Sequence, residues 1–131
     1  MYLPNDAINF SRDVNDTSVL LKVCYGETEA LYTGDITAYA ERQYIKSGLD
    51  LSADILKAAH HGSASSTSEE WVETVSPQYT IISCGENNSY GHPSKETLKR
   101  LNGCTVIRTD ESGDITFTAD RKKIKNITVL R

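Results

Sequence analysis

Several features that define classes of protein are scarce in the sequence, and each scarcity excludes a class. It contains only 3 prolines and 3 cysteines, with no Cys-x-x-Cys pair, which excludes the dense disulfide framework of a small secreted domain. Cys24 and Cys84 lie inside apolar runs, which predicts buried thiols. No apolar run approaches the roughly 18 residues of a membrane-spanning helix. Residues 1–10 also lack the charge and apolar stretch of a signal peptide, so we expect this segment to make no membrane contact of its own.

A strongly basic surface is also missing. The net charge is −4, whereas a protein that holds nucleic acid by charge alone carries a basic stripe. The basic cluster near the C-terminus lies between two strand-like segments and is predicted to be a solvated hairpin turn. It consists of Arg121, Lys122, Lys123 and Lys125. The length and the 38% hydrophobic content are those of one domain with a real core.

Strand and helix patterns alternate through the middle of the chain, after an irregular lead-in over residues 1–16. Apolar, β-branched runs predict strands at residues 18–25, 30–33, 54–59, 79–84, 105–108, 115–118 and 124–130. Helices are predicted to begin at caps formed by Thr37, by Thr67 or Ser68, and by Ser94. This alternation predicts an α/β fold in which helices pack on one mixed sheet.

The unusual polar residues lie in three loops that follow predicted strands. These loops contain Asp35, the pair His60-His61, and His92, and so hold all three histidines of the chain. Sites in layered α/β folds gather at the carboxyl ends of strands. Because right-handed crossovers place such loops on the same edge of a sheet, we expect the three loops to meet.

Each loop also has a purely structural interpretation. Asp35 can open a turn or cap a helix, the histidine pair can be one core and one surface residue, and His92 can belong to a helix-entry turn before Pro93. The hydroxyls that follow the histidine pair either donate to an anion at the start of the next helix or form only a well-capped loop. These hydroxyls belong to Ser63, Ser65, Ser66 and Thr67.

Taken together, the loops resemble the metallo-β-lactamase superfamily, and within it the domain that ends the DNA-uptake channel proteins of competent bacteria. The resemblance rests on the stretches Leu31–Asp35, Leu56–Ser63 and Ile81–Pro93. It runs from Asn15 to Gly113. It implies that residues 1–131 form one partial domain, the C-terminal half of an αβ/βα sandwich.

The resemblance also implies a metal-dependent hydrolase, a nuclease-like phosphodiesterase that acts on DNA during uptake. Two divalent ions, Zn²⁺ or Mn²⁺, are expected in the intact domain. Asp35 would bridge them, and His60 or His61 would complete one ion's shell. The implied catalytic residues are Asp35, His60, His61 and His92, and the implied substrate-binding residues are Ser63 and Asn88. Full-length relatives are expected to be inner-membrane proteins with this domain attached.

Two departures from the family pattern matter. The superfamily's His-x-His-x-Asp-His loop, which supplies most of the metal ligands, is absent, so the N-terminal half of the domain is expected to be a missing partner. Asn15 stands where many relatives have a ligand histidine, and asparagine is a poor ligand for zinc, which favours Mn²⁺. The fragment alone is therefore predicted to be inactive, and whether it binds either ion is left open.

Two other functions are compatible with the sequence. A phosphocholine esterase or a lactonase can be built on the same scaffold, because a fold does not fix the substrate. A non-catalytic remnant could instead bind a partner through its half-interface. Without a second sheet, the apolar strands at 18–25, 30–33 and 79–84 would be uncovered, so we expect the fragment to form a homo-oligomer.

Overall fold

Five strands form one mixed sheet in which neighbours along the chain are also neighbours in space. The computed structural model describes residues 13–131. In order across the sheet, the strands are β1 (Leu21–Tyr25), β2 (Thr28–Tyr32), β3 (Ile55–Lys57), β4 (Tyr79–Ile82) and β5 (Thr105–Arg108). β1 is antiparallel to β2, and the strands from β2 to β5 are parallel. The carboxyl ends of four parallel strands therefore share one edge.

Three helices connect the parallel strands. They are α1 (Ala38–Lys46), α2 (Glu69–Val75) and α3 (Lys95–Arg100). The side-chain oxygens of Thr37, Ser68 and Ser94 cap them by accepting backbone N–H groups in the first turn. The α/β class and the mixed sheet with helices packed on it, as expected from the sequence, are thereby confirmed.

One face of the sheet is buried against α1 and α2. Leu31 and Leu56 project from the sheet into a core with Tyr44 and Trp71, and all four are 0% exposed. Full burial of a large apolar side chain stabilises a fold by about 1.5–3 kcal/mol. A smaller cluster continues this core and consists of Ala58, Ile82 and Leu101. The core thus fixes the strands whose ends carry the polar loops.

A separate hairpin lies against the opposite face of the sheet. Its strands are β6 (Asp114–Ala119) and β7 (Ile124–Leu130), preceded by one helical turn, α4 (Thr109–Ser112), where a simple turn was expected. The ring of Phe117 packs edge-to-face on Tyr79 at a centroid distance of 5.6 Å. A cavity of about 390 Å³ lies between hairpin and sheet, with Lys57 in its lining. The basic cluster is exposed at the β6–β7 turn and the start of β7, as expected.

The edge strand β1 leaves apolar side chains exposed. Leu21, Val23 and Tyr25 lie on the same face as Tyr32 of β2, and the four are between 40% and 56% exposed. Cys24 points to the other face and is also exposed. Its expected burial is wrong, because β1 has a neighbouring strand on one side only and Cys24 belongs to neither core cluster. Cys84 is partly buried against the smaller cluster.

The lead-in expected over residues 1–16 falls mostly outside the described residues. Its last part is a 3-10 turn, Val14–Thr17, whose N-cap is Asp13. Within residues 13–131, no helix is long and apolar enough to cross a membrane.

Candidate functional site

Asp35 and the three histidines lie together at the carboxyl edge of the parallel strands. Asp35 follows β2, His60 and His61 follow β3, and His92 follows β4. Asp35 Oδ1 is 3.7 Å from His61 Nε2. The ring centroid of His60 lies 6.5 Å from that of His61 and 5.9 Å from that of His92. The expected meeting of the three loops is confirmed, and the roles of the side chains remain predictions.

The Asp35 loop is fixed against the turn that precedes β1. A Cβ atom on Gly34 would lie 2.7 Å from Ser18 Cβ, so only glycine permits this approach. The Asp35 N–H donates to Ser18 Oγ at 3.1 Å. The buried Asp16 carboxylate accepts both the N–H and the hydroxyl of Thr37, each at 2.8 Å. Asp16 and Ser18 thus hold the loop on both sides, and both follow Asn15 within three positions of the chain.

The histidine pair has an unusual backbone. His60 (φ 49°, ψ 44°) and His61 (φ 55°, ψ 24°) are consecutive non-glycine residues in the left-handed region. Each such residue costs about 1–3 kcal/mol, so the surrounding structure must enforce the conformation. The His60 N–H donates to the Gly34 carbonyl at 3.1 Å, and the Ser94 N–H donates to the Gly62 carbonyl at 2.9 Å. The second loop is therefore bonded to both of the others.

One hydrogen bond sets the orientation of the His61 ring. Its Nδ1 atom lies 2.7 Å from the Ser83 carbonyl oxygen, which can only accept, so Nδ1 carries the proton. In the neutral ring, Nε2 then presents its lone pair toward the Asp35 carboxylate. At 3.7 Å the two atoms are too far apart for a hydrogen bond. Metal-ligating histidines are held in the same way, with the second ring nitrogen donating to a carbonyl or carboxylate.

His60 and His92 lie deeper in the site. Their Nδ1 atoms are buried and have no hydrogen-bond partner within residues 13–131. A buried nitrogen without a partner costs about 1–3 kcal/mol, and such atoms in native sites require an explanation. Burial, together with the neighbouring rings of His60 and His61, lowers the pKa of His92. The site therefore favours a neutral His92 ring.

Asn88 braces the third loop. Its Nδ2 donates to the carbonyls of Gly85 at 2.9 Å and His92 at 2.6 Å, and its Oδ1 accepts the His92 N–H at 2.9 Å. These bonds close the loop around Tyr90, whose ring stacks on His92 at 5.9 Å with an interplanar angle of 20°. Sequence reasoning gave Asn88 a substrate-facing role and missed Tyr90, although Tyr90 lies between two of the residues that it singled out.

Two pockets open side by side at these loops. A pocket of about 260 Å³, with a mixed polar and apolar lining, is formed by Asp35, His60, His61, Tyr90 and His92. A mainly apolar pocket of about 240 Å³ is lined by His61, Cys84, Gly85, Asn88, Tyr90 and His92. Ser63 lines neither pocket: its Oγ lies 3.0 Å from Ser65 Oγ. Its expected substrate contact remains a prediction.

The hydroxyl-rich segment after the histidine pair is bonded to neighbouring parts of the fold. Ser66 donates to the Ile36 carbonyl, and Thr67 Oγ1 accepts the Ala59 N–H. The N–H groups of Thr67 and Ser68, which an anion would need, already donate to the buried Glu41 carboxylate of α1. Of the two interpretations that the sequence allows, these bonds support the well-capped loop.

The side chains at this edge fit part of a metal site. Asp35 offers a carboxylate oxygen and His61 an oriented imidazole nitrogen, which are donors that both Zn²⁺ and Mn²⁺ accept. Within residues 13–131, however, no three His, Cys, Asp or Glu side chains are grouped closely enough to hold a metal ion. The described residues therefore supply one pair of candidate donor atoms, and the ligand roles of Asp35, His60 and His61 remain predictions.

The fold and site together define an α/β domain whose histidines and one aspartate gather at the carboxyl edge of its parallel strands. The chain is 36% identical over 105 residues to ComE operon protein 3 of Bacillus subtilis. The aligned residues make up 79% of the chain and 14% of that protein. The chain is 35% identical over 116 residues to Competence protein ComA of Neisseria gonorrhoeae, covering 86% of the chain and 17% of that protein. These two homologues of the chain are competence proteins.

A third protein shows a similarity of the same extent. The chain is 33% identical over 119 residues to Recombination protein 2 of Haemophilus influenzae, covering 88% of the chain and 15% of that protein. The chain thus spans between 14% and 17% of the length of these three relatives. No family model matches the chain, and no solved structure matches it.

Proposed function

We propose that the chain is part of a metal-dependent phosphodiesterase of the metallo-β-lactamase superfamily that cleaves DNA during its uptake. The observation that carries this proposal is the orientation of His61. Its Nδ1 proton is committed to Ser83, and its Nε2 faces Asp35 across 3.7 Å. With the ring neutral, Nε2 and the carboxylate oxygen are two acceptor atoms that face one gap, and a cation between them would remove their repulsion. The names of the relatives, which are competence proteins, supply the link to DNA.

The pair would hold a divalent metal ion through His61 Nε2 and the Asp35 carboxylate. When bound, such an ion supplies Lewis-acid activation of water and neutralises the charge of a phosphodiester. His92, whose pKa is lowered by burial, lines the pocket that contains Asp35 and can donate a hydrogen bond to a bound phosphate. Because the described residues provide only a pair of ligands, the remaining ligands would come from another part of the full-length protein.

The proposal is tested with the protein expressed from the complete gene. Cleavage of a single-stranded DNA oligonucleotide is measured with Mn²⁺, with Zn²⁺ and with a chelator. We expect metal-dependent cleavage that Asp35→Asn and His61→Ala each lower by more than about 10-fold. The matched control is Asp50→Asn, an exposed carboxylate that pairs with Lys22 away from the site, and it should retain full activity.

Two further assays distinguish the phosphodiesterase from the alternative functions. A phosphocholine ester and a lactone are assayed in parallel, and Asp35-dependent turnover of either, without cleavage of DNA, would assign a small-molecule substrate instead. The 131-residue chain alone is expected to cleave nothing, because the donor set of its described residues is partial. Metal-dependent activity that survives Asp35→Asn in the complete protein would refute the site.

A further inference from the structure

We propose that Tyr90 and His92 form a stacking subsite for a nucleobase of single-stranded DNA, next to the Asp35–His61 pair. The inference rests on the proposed function, because it names the part of the substrate that is held beside the reacting phosphate. Tyr90 is 82% exposed, yet its ring is stacked on His92 rather than free in solution. It therefore presents an aromatic surface to solvent at a fixed position.

Hydrogen bonds within the loop fix the position of the Tyr90 ring before any ligand binds. The three Asn88 hydrogen bonds tie residues 85, 88 and 92 together, so the segment that carries Tyr90 is closed at both ends. A ring that is already positioned loses little conformational freedom when a ligand stacks on it. His92 is itself placed against His60, which continues the row of rings into the site.

The two neighbouring pockets match the two parts of a nucleotide. The pocket lined by Asp35 holds the Asp35–His61 pair, beside which the phosphate would lie, whereas the pocket that adds Cys84 and Gly85 is mainly apolar and suits a flat heterocycle. The two pockets share His61, Tyr90 and His92, so one ligand can occupy both. A base attached to the sugar next to the scissile phosphate has this arrangement of groups.

Stacking also explains how a chain of net charge −4 can hold DNA. Every base has a π-face, so an aromatic platform binds single strands without a basic stripe and without strong sequence preference. A base pair in a duplex offers no free face to such a platform. The subsite therefore predicts a preference for single-stranded over double-stranded DNA.

The test measures binding to the 131-residue chain without metal, by NMR titration with two oligonucleotides of equal length. One is oligothymidylate, and the other has the same phosphates with abasic sugars. We expect Tyr90→Ala to weaken binding of oligothymidylate by about 5- to 150-fold, which is the contribution of one stacked base. Tyr90→Phe keeps the ring and should bind like the wild type. Binding of the abasic strand should not change in either variant.

Val14→Ala is the control, because Val14 is 77% exposed and lines neither pocket. A wild-type chain that shows no base-dependent shifts at millimolar oligonucleotide would overturn the proposal. An equal loss of affinity for both strands in Tyr90→Ala would also overturn it. So would a Tyr90-dependent affinity for phosphocholine alone, which would assign the ring to a quaternary ammonium by cation–π contact. Tyr90-dependent stacking without metal-dependent cleavage would leave the subsite standing and remove only the hydrolytic function.

Discussion

Gly62 of the second loop lies directly against Pro93 of the third. A Cβ atom on Gly62 would stand 2.7 Å from Pro93 Cβ and 3.2 Å from Ile82 Cγ2. The Ser94 N–H donates to the Gly62 carbonyl at 2.9 Å in the same contact. The loops that carry His61 and His92 therefore meet through a position where no side chain fits.

This contact predicts how far a methyl group added at Gly62 lowers the free energy of unfolding. Gly62 has φ +82° and close neighbours, whereas Gly48 has φ +72° and no atom within 4 Å of the place where a Cβ would lie, so Gly48→Ala measures the backbone cost alone. We expect Gly62→Ala to lower the free energy of unfolding by about 1–3 kcal/mol more than Gly48→Ala, since it also forces overpacking. Urea unfolding measures both. Equal losses would show that the loops separate freely.

A second prediction concerns Glu41, whose buried carboxylate accepts the N–H groups of Thr67 and Ser68. In Glu41→Gln the amide can accept at one oxygen only and turns its NH₂ group toward the other donor. We expect a loss of about 1–3 kcal/mol in the free energy of unfolding. Glu73→Gln, at an exposed position of α2, is the control and should change little. A Glu41→Gln chain as stable as the control would show that the cap contributes nothing.

The same carboxylate predicts a pH dependence. Burial raises the pKa of Glu41 above its ordinary value of 4.5, so between these two values the folded chain holds a proton that the unfolded chain has lost. Stability from this group is therefore full below pH 4.5 and falls as the pH rises through the folded pKa. On acidification from neutral pH, the wild type should gain stability relative to Glu41→Gln. A constant difference at all pH values would contradict the raised pKa.

Lys57 gives a third prediction. Its ammonium donates to the Ala58 carbonyl at 2.8 Å, and burial under the hairpin lowers the pKa of Lys57 although the charges of Asp35 and Cys84 raise it. We expect Lys57→Met to raise the free energy of unfolding at neutral pH by about 1 kcal/mol, because a desolvated charge is removed. The gain should vanish as the pH rises beyond 10.5, where the lysine is neutral in both states. Thermal unfolding measures both Lys57→Met and a control, Lys123→Met, in which an exposed lysine is replaced. If Lys57→Met stabilises the fold no more than Lys123→Met does, burial of the Lys57 charge carries no penalty.

A fourth prediction follows from the exposed apolar face of β1 and β2. Leu21, Val23, Tyr25 and Tyr32 lie side by side on it, and stacking two copies would remove these side chains from water. We expect sedimentation to show a dimer or larger assembly at micromolar concentration, and Val23→Asp to shift it to monomer. Val14→Asp places the same charge on an exposed turn and should leave the assembly intact. A wild-type monomer would end this idea.

The parts of the fold that sequence predicts well are those set by local pattern. The strand at 105–108 has its predicted bounds, and Thr37, Ser68 and Ser94 cap helices, because a cap and a short apolar run act within a few residues. The exposure of Cys24 was missed, since an edge strand and a central strand share the same apolar pattern.

The candidate site also has residues that the sequence predicts and residues that it does not. Asp35 and the histidines were found because topology brings strand ends together. The supports of the site were not found: Asp16 binds Thr37 across 21 positions, and Glu41 binds Thr67 across 26. Contacts between such distant positions leave no periodic trace in the sequence. The His61–Ser83 bond, which orients the ring, joins positions 22 residues apart and is likewise not predictable from the sequence.

Two of the backbone bonds between the three loops run in the same direction along the chain. The Gly34 carbonyl accepts from His60, and the Gly62 carbonyl accepts from Ser94, so in each case the acceptor precedes the donor. A ribosome releases the N-terminal part of a domain first. In these two contacts the later loop therefore emerges after the carbonyl that accepts its N–H has been made. The edge can be assembled in the order of synthesis, with each new loop docking on one that has already left the exit tunnel.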